Sequence, residues 1–268
     1  MKKVLTLLFV IMISIAATAQ YKAPKVIAHR GFHASEGAAE NSLNALKAAQ
    51  EAKIWGSEFD VNLTSDDEAI VVHGPWHHGS DTTPKIHVNI SKKEEVLAIL
   101  LANGETVPTL DDYLLQGKKS ADTKLIIEIK NQLTPQHESK LIEKVLAKVA
   151  EYGLQNNVEY IAFRPFVCWE LARLAPEGTK IAYLNGDSEP SYCKSMGCTG
   201  VDYKLSRLKK NTAWIKQAKK LGMTINVWTV NTEEDIRWCI KNGVDFITTD
   251  DPMLTQKIIN EMCGESAN

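Results

Sequence analysis

Two carboxylates stand two residues apart in the segment SEFDVNL, whose apolar and aromatic residues predict a strand. Side chains two apart on a strand point to the same face, so Glu58 and Asp60 lie on one side. Glu128, in the strand-like segment KLIIEIK, adds a third carboxylate. Like charges this close repel unless a cation or a shared proton intervenes. An oxygen-rich, sulfur-free set favours Mg²⁺ or Ca²⁺, whereas Glu58 and Asp60 alone could be a solvated strand edge.

Two basic residues accompany these acids. Arg30 follows the apolar segment VIAH, and Lys130 ends KLIIEIK. Cations beside a metal site indicate an anionic ligand with several oxygens, of which phosphate is the commonest, and Arg can bind it bidentately. Ion pairing with the acids themselves is the alternative interpretation.

Two histidines also end predicted strands, His29 in KVIAHRG and His73 in AIVVHG. Imidazole titrates near neutral pH, so two rings on opposite sides of a phosphorus atom can act as general base and general acid. A lone histidine at a strand end is more often structural. Two that converge on a metal and phosphate site indicate catalysis.

The hydrophobic pattern predicts the elements that position these side chains. Apolar segments alternate with amphipathic ones, which predict helices over 41–53, 135–152, 212–221 and 232–241. Nine segments predict strands: KVIAHRG, SEFDVNL, AIVVHG, KLIIEIK, VEYIAF, KIAYLNG, GVDYKL, TINVWTV and VDFITTD. This alternation indicates a mostly parallel sheet covered by helices, either doubly wound or closed into a barrel.

One pair of strands breaks the alternation. Only the loop TSDDE separates SEFDVNL from AIVVHG, which is too short for the crossover that parallel neighbours need, so the pair predicts an antiparallel hairpin. Without its return strand eight strands remain, the number that closes a (β/α)₈ barrel. If Thr64 faces Ala69, the hairpin register places Asp60 opposite His73, on the same side.

In such a barrel the functional side chains gather at the carboxyl ends of the strands. Twelve residues are predicted there: His29, Arg30, Glu58, Asp60, His73, Glu128, Lys130, Arg164, Lys204, Trp228, Asn231 and Asp250. Asp250 and Asp251 also precede Pro252 at a helix start, where N-capping accounts for at least one of them. Residues 75–105 form an insertion, which is typical of a lid or a small cap over the site.

Composition narrows the range of partners. The 268 residues include 31 basic and 33 acidic ones, which argues against nucleic acid or an anionic membrane surface and favours a small-molecule substrate. Five cysteines without a CxxC pair are too few for a disulfide scaffold. Cys193 and Cys198 could pair in an oxidising compartment, and buried thiols are the alternative.

Residues 1–19 predict a signal peptide. Lys2 and Lys3 precede an apolar run over 4–15 and then the small residues of 17–19. The run is short against the about 20 residues that span a bilayer, although an uncleaved anchor is the alternative. Cleavage would leave one domain, residues 20–268, in the periplasm or secreted, with no stable membrane insertion. The oligomeric state stays open.

An ordered set of motifs resembles the glycerophosphodiester phosphodiesterase family over residues 26–252. The motifs are AHRG, ENSLNALKAAQEAKIWGSEFDVNLTSDDEAIVVHG, VPTLDDYL, LIIEIK, NVWTVN and GVDFITTDDP. As a set they are highly specific, whereas HRG or ExD alone would be weak. The resemblance implies a distorted TIM barrel that uses a divalent cation to hydrolyse glycerophosphodiesters to an alcohol and glycerol 3-phosphate.

The resemblance also implies residue roles. His29 and His73 would be the acid and base pair, and three carboxylates would hold the metal: Glu58, Asp60 and Glu128. Arg30 and Lys130 would bind phosphate, Glu40 and Asn41 would shape the site, and Trp228 would contact glycerol. The family mechanism lets the glycerol 2-hydroxyl attack phosphorus, giving a cyclic phosphate that water opens.

The sequence departs from the family pattern in two places. His73 is followed by Gly74 where the family usually has aspartate, and Ala39 replaces a proline before Glu40 and Asn41. Two other functions stay open: a phospholipase-type phosphodiesterase acting on intact lipids, and a non-catalytic glycerophosphodiester-binding protein on a barrel scaffold. The polar segment HHGSDTTPK argues against a lipid-binding rim, and the paired histidines argue against binding alone.

Overall fold

The computed structural model describes residues 21–79 and 85–264, so the predicted signal peptide lies outside the described residues. The strands are β1 Lys25–Ala28, β2 Gly56–Leu63, β3 Ala69–Val71, β4 Trp76–His77, β5 Ile86–His87, β6 Lys124–Ile129, β7 Val158–Ala162, β8 Ile181–Tyr183, β9 Gly200–Lys204, β10 Thr224–Trp228 and β11 Phe246–Thr249. The α-helices are α1 Leu43–Glu51, α2 Lys93–Leu97, α3 Leu110–Gly117, α4 Pro135–Glu151, α5 Pro165–Leu174, α6 Pro190–Ser195, α7 Leu205–Lys210, α8 Ala213–Lys220, α9 Glu233–Asn242 and α10 Pro252–Cys263.

Eight parallel strands close into a barrel. Their order is β1, β11, β10, β9, β8, β7, β6 and β2, and β1 pairs with β2 to complete the ring. Strand β3 lies antiparallel on β2, outside the ring. The predicted TIM barrel with an antiparallel hairpin is therefore confirmed. Among the described helices, none is long and apolar enough to cross a membrane.

The period of two along β2 separates its core residues from its polar ones. Phe59 and Val61 are fully buried in the large core that the helices share with the outer barrel wall, and the Phe59 ring stacks on Tyr113 of α3 at 4.1 Å between centroids. Glu58 and Asp60 point the other way, into the barrel. A second apolar cluster inside the barrel closes its floor: Ile27, Ile126, Ile161 and Leu184. The acids thus lie above a layer of apolar side chains.

The predicted hairpin register is wrong by one residue. Val61 pairs with Val71 and Leu63 with Ala69, so the loop holds five residues and Asp60 faces Val72 rather than His73. Strand β3 ends at Val71, and the next backbone amide still donates to Asp60 O at 3.1 Å. Because His73 lies beyond the paired strand, its side chain no longer follows the alternation and can still approach Asp60.

The four predicted helices are confirmed to within two residues at each end, and their ends carry the expected caps. Ser42 accepts a hydrogen bond from the Ala45 amide at the start of α1, and Thr134 caps α4, whose first residue is Pro135. Helix α9 ends at Gly243 in the left-handed conformation.

The insertion over 75–105 packs on the hairpin side of the barrel. It holds the two-stranded ribbon β4 and β5, a 3₁₀ turn over Val88–Ile90, and α2. The predicted helix-like run over 92–101 is shorter in the structure, ending at Leu97. Its buried Val88 and Val96 form a small core with Ile70 and Val72. Residues 80–84, in the middle of the insertion, lie outside the described part of the chain.

Gly31 sets the position of the residues before it. Its φ is +78°, and a Cβ built there would lie 2.6 Å from Ala45 Cβ and 2.9 Å from Ala45 C. We expect Gly31→Ala to lower the free energy of unfolding by about 2 to 5 kcal/mol, from backbone strain plus overlap with α1. Urea unfolding measures the loss.

Gly37→Ala is the matched control. Gly37 has φ +72° with nothing within 4 Å of the added Cβ, so only the backbone term applies, about 1 to 2 kcal/mol. If the two variants lose the same free energy of unfolding, the overlap of a Cβ at residue 31 with α1 contributes nothing to the loss in Gly31→Ala.

Candidate active site

Three acidic side chains meet where β2 and β6 end. Asp60 and Glu128 face each other in the β2–β6 register, and Glu58 lies one inward-facing position below Asp60. One carboxylate oxygen from each of the three lies within 4.8 Å of those of the other two. The side chains of Glu58 and Asp60 are almost completely buried, and Glu128 is 7 % exposed. The structure thus brings together the three residues that the sequence predicted as metal ligands.

Two cations oppose this charge. Lys130 Nζ lies 2.6 Å from Glu128 Oε1 and 3.1 Å from Asp60 Oδ1. Arg30 Nε lies 3.4 Å from Asp60 Oδ2, and its Nη1 donates to Glu40 Oε2 at 2.5 Å. Both predicted phosphate-binding cations therefore border the carboxylates, and here they pair with them.

The backbone around Arg30 and Asn41 aims these groups. Both residues have positive φ, 52° and 61°, and the Asn41 amide donates to Arg30 O at 2.9 Å. Asn41 Nδ2 donates to Asp60 Oδ2 at 2.9 Å, while Asn41 Oδ1 accepts from the Asp60 amide at 3.0 Å. The Arg30 amide donates to Glu58 Oε2 at 2.8 Å. Asn41 thus holds one carboxylate and the Arg30 backbone holds another.

Burial, mutual repulsion and the nearby cations give the three acids different pKa values. Burial raises the pKa of Glu58 well above its usual value, and Asp60 and Glu128 add to the rise. Burial, together with the charge of Asp60, raises the pKa of Glu128 to about 7. Burial alone would also raise the pKa of Asp60, but Lys130 and its other neighbours hold it below the usual value. Asp60 is therefore the persistent anion of the group.

The donor set fits a hard divalent cation. Glu58 Oε1 is buried and has no hydrogen-bond partner among the described residues, which is the state of a carboxylate oxygen directed at an absent ligand. All the donors are carboxylate oxygens, which suit Mg²⁺ or Ca²⁺. The raised pKa values of Glu58 and Glu128 come first from burial and then from repulsion among the acids, which such a cation would relieve.

His29 follows β1, the other ring neighbour of β2, and is bound to Asp250. Its Nδ1 lies 2.8 Å from Asp250 Oδ1, and His33 Nε2 lies 3.2 Å from the same oxygen. Asn231 Nδ2 donates to Asp250 Oδ2 at 2.6 Å, and the Asp250 amide donates to Asn231 Oδ1 at 2.9 Å. The hydrogen bonds from His29, His33 and Asn231 hold the pKa of Asp250 far below its usual value.

Sequence reasoning missed part of this cluster. Asp251 is the residue that caps α10, through its bond to the Leu254 amide, so Asp250 is free to bind His29. His33 was not predicted as a site residue. Its spacing of four from His29 carried no strand or helix pattern, and only the Gly31 turn brings the two rings to one carboxylate.

His73 stands at the open edge of the mouth. Partial burial lowers its pKa to about 4, with the attraction of Asp60 opposing this and the repulsion of Lys130 and Arg30 adding to it. The ring is therefore neutral above this pH. His29 and His73 both reach the mouth, as the sequence predicted.

Of the other predicted residues, Trp228 lies at the barrel mouth, whereas Arg164 pairs with a helix. Trp228 is half-buried, donates from Nε1 to Asp202 O at 3.0 Å and packs edge-on against Phe163, so its ring lies inside the barrel mouth. Arg164 instead pairs with Glu138 of α4 at 3.2 Å. The possible Cys193–Cys198 pair is absent, since both are buried free thiols.

A cavity of about 530 Å³ connects the mouth with the insertion. Its lining mixes polar and apolar side chains and includes Glu40, Asn41 and His73 from the barrel side. Trp76 and His78 line it from the insertion, and Trp76 is 57 % exposed. The insertion therefore borders the site, as its sequence position suggested.

The fold and the site together define a class: a (β/α)₈ barrel with a buried group of carboxylates that could hold a cation and two histidines at its mouth. Comparison with known proteins is consistent with this class. A 32 % identical relative, the glycerophosphodiester phosphodiesterase of Caldanaerobacter subterraneus subsp. tengcongensis, aligns over 240 residues, 85 % of this chain and 94 % of its own. A Bacillus subtilis relative known as the uncharacterized protein YqiK is 30 % identical over 85 % of this chain and 95 % of its own.

Solved structures agree. A glycerophosphodiester phosphodiesterase from Parabacteroides distasonis superposes with a TM-score of 0.84 at 38 % identity, covering 90 % of this chain and 98 % of its own. The profile of the glycerophosphoryl diester phosphodiesterase family matches residues 29–254. The chain belongs to this family, as its motifs indicated, and is an enzyme of the phosphoric diester hydrolase class.

Metal binding is expected to release protons. Because the pKa of Glu128 is about 7 and burial raises that of Glu58 well above its usual value, both carboxyls hold protons below neutral pH that a cation must displace. We expect the affinity for Mg²⁺ or Ca²⁺ to rise as pH increases from 6 to 8. Isothermal titration calorimetry in buffers of different ionisation enthalpy counts the protons released. An affinity that is constant across this range would contradict the assigned ligands.

Proposed function

We propose that this protein hydrolyses glycerophosphodiesters to an alcohol and sn-glycerol 3-phosphate, with a bound Mg²⁺ or Ca²⁺ and with His29 and His73 as the acid and base pair. The observation that carries the proposal is the convergence of Glu58, Asp60 and Glu128 with Arg30 and Lys130 at the carboxyl ends of neighbouring strands. A hard cation and two basic side chains in one mouth form a site for a phosphate group.

Each residue has a role in binding the diester. Glu58, Asp60 and Glu128 would hold the cation, which supplies Lewis-acid stabilisation of the charge on phosphate and lowers the pKa of a nearby hydroxyl. Arg30 and Lys130 would turn from the carboxylates towards the phosphate oxygens, since the cation replaces them as partners of the acids. Asn41 and Glu40 keep Asp60 and Arg30 in place. Trp228 offers an apolar face to the glycerol carbons.

The two histidines would move the protons. In the first step the glycerol 2-hydroxyl attacks phosphorus; one imidazole takes its proton while the other gives a proton to the departing alcohol oxygen, and a cyclic phosphate forms. In the second step water opens the ring and the two imidazoles exchange roles. His29 is held by Asp250, so its free nitrogen has a defined direction. Catalysis comes chiefly from positioning and charge stabilisation.

A solved structure of a phosphodiesterase with a similar fold supports sn-glycerol 3-phosphate as the product. An Oleispira antarctica phosphodiesterase, determined in complex with sn-glycerol 3-phosphate, superposes with a TM-score of 0.74 at 21 % identity over 89 % of this chain and 97 % of its own. For the present chain the leaving alcohol would occupy the cavity between the mouth and the insertion, bordered by Trp76 and His78. The histidines of that lining, with Glu40 and Asn41, offer polar contacts to a headgroup alcohol.

Turnover of glycerophosphocholine and glycerophosphoethanolamine tests this proposal. We expect EDTA to abolish release of sn-glycerol 3-phosphate and Mg²⁺ or Ca²⁺ to restore it. His29→Ala and His73→Ala should each lower the rate by roughly 10²- to 10⁴-fold, as loss of a general acid or base does. His137→Ala is the control: His137 lies at the start of α4 beside Thr134 and should keep the wild-type rate. Full turnover by His29→Ala would refute the assigned chemistry.

We also propose that the protein is exported and scavenges deacylated phospholipid headgroups outside the cytoplasmic membrane. The support is the basic, apolar and small-residue order of residues 1–19 together with the phosphate site. N-terminal sequencing of the native protein should begin at Gln20. Native protein found in the cytosol with residues 1–19 attached would contradict the export.

A further inference from the structure

A second group of potential ligands lies beside the carboxylate site and differs from it chemically. One ligand atom from each of His29, His33 and Asp250 lies within 4.8 Å of the other two, and His29 Nδ1 and His33 Nε2 both contact Asp250 Oδ1. The group combines two imidazole nitrogens with one oxygen, whereas the Glu58, Asp60 and Glu128 group offers oxygen alone. Nitrogen-rich sets of this kind suit Zn²⁺ and its transition-metal neighbours, and oxygen sets suit Mg²⁺ and Ca²⁺.

The spacing of each histidine nitrogen from the Asp250 oxygen is close to what a tetrahedral ion requires. Bonds of about 2.0 to 2.2 Å to nitrogen and oxygen place neighbouring ligands of Zn²⁺ about 3.3 Å apart. The two nitrogens stand 2.8 and 3.2 Å from Asp250 Oδ1. To bind the ion, each nitrogen would therefore move away from Asp250 Oδ1 by at most roughly half an ångström. Small side-chain rotations cover that distance.

The surroundings hold the ligands in place. The His29 amide donates to Thr249 O at 2.9 Å, which ties the end of β1 to the residue before Asp250. Asn231 binds the other oxygen of Asp250, and such outer-sphere bonds orient carboxylates in metal sites. The side chains of His29, His33 and Asp250 are 21 %, 20 % and 37 % exposed, so solvent can deliver an ion and fill a remaining coordination position.

We propose that His29, His33 and Asp250 form a site for a transition-metal ion such as Zn²⁺, and that its occupancy inhibits the enzyme. The inhibition, but not the binding, rests on the proposed role of His29. An ion on Nδ1 fixes the remaining proton of His29 on Nε2, where it can be lost only by forming imidazolate. The ring could then no longer exchange protons with substrate.

Calorimetry with ZnCl₂ on untagged mature protein saturated with Mg²⁺ tests the binding. We expect one Zn²⁺ per chain, and a loss of affinity of about 10²-fold or more in His33→Ala, since loss of even an outer-sphere partner costs 10- to 100-fold. His78→Ala is the matched control, because His78 lines the neighbouring cavity without belonging to the cluster. Absence of binding, or equal affinities in His33→Ala and His78→Ala, would overturn the site.

Glu58→Gln separates this proposal from the proposed function. The variant should lose Mg²⁺-dependent turnover yet bind Zn²⁺ as the wild type does. If Zn²⁺ binding disappears with Glu58, the ion belongs to the carboxylate group and the proposed site is wrong. In wild-type protein Zn²⁺ should inhibit turnover at concentrations that match its measured Kd, and His33→Ala, compared with its own zinc-free rate, should need at least about 10²-fold more. Zn²⁺ bound at the cluster with unchanged turnover would overturn the inhibition.

Discussion

The repulsion among three buried carboxylates is the constraint on which the mouth of this barrel depends. Glu58, Asp60 and Glu128 are buried, and Lys130 and Arg30 pair with Asp60 and Glu128 and offset part of their charge. Without a cation, Asp60 stays ionised, while the pKa values of Glu58 and Glu128 are raised, which favours their neutral forms and reduces the repulsion. The site therefore carries excess negative charge, which a divalent cation would neutralise.

The barrel supplies what this charge cluster needs. Alternation along β2 sends Phe59 and Val61 to the helix layer and sends both acids inward, so one strand serves the core and the site at once. The apolar floor of Ile27, Ile126, Ile161 and Leu184 keeps water from the lower side. Loops carry the remaining groups, and the tight turn at Gly31 lets the five residues from His29 to His33 contact four carboxylates, those of Asp250, Glu58, Asp60 and Glu40.

Two halves of the mouth have different chemistry. The β2–β6 side is an all-oxygen group with cationic neighbours, suited to a hard ion and phosphate. The β1–β11 side joins two imidazoles to Asp250, which Asn231 holds. In the proposed mechanism one half stabilises charge and the other moves protons. Imidazole nitrogens are also ligands for softer metal ions, so the same donors of His29 serve both the proposed proton transfer and the proposed inhibition.

The sequence by itself determined the parts of this protein that repeat with a simple period. Strand and helix segments, the hairpin, eight ring strands and the pairing of Glu58 with Asp60 all follow from periods of two and 3.6 and from loop length. The strand-end rule then gathered His29, Arg30, Lys130 and Glu128 correctly. The family resemblance added Glu40 and Asn41, which local pattern did not indicate, and the structure places both beside the site through contacts with Arg30 and Asp60.

Only the tertiary structure decided the rest. The hairpin register turned on a five-residue loop whose length depends on contacts of Thr64 with Glu68, and one residue of shift changes every facing pair. Asp250 and Asp251 look alike in sequence, yet the chain direction after β11 makes one a helix cap and the other the partner of two histidines. His33 joined the site because a glycine turn, and no periodic element, carries it there. Contacts that depend on turns and on chain crossings produce no periodic pattern in the sequence. For that reason only the tertiary structure shows them.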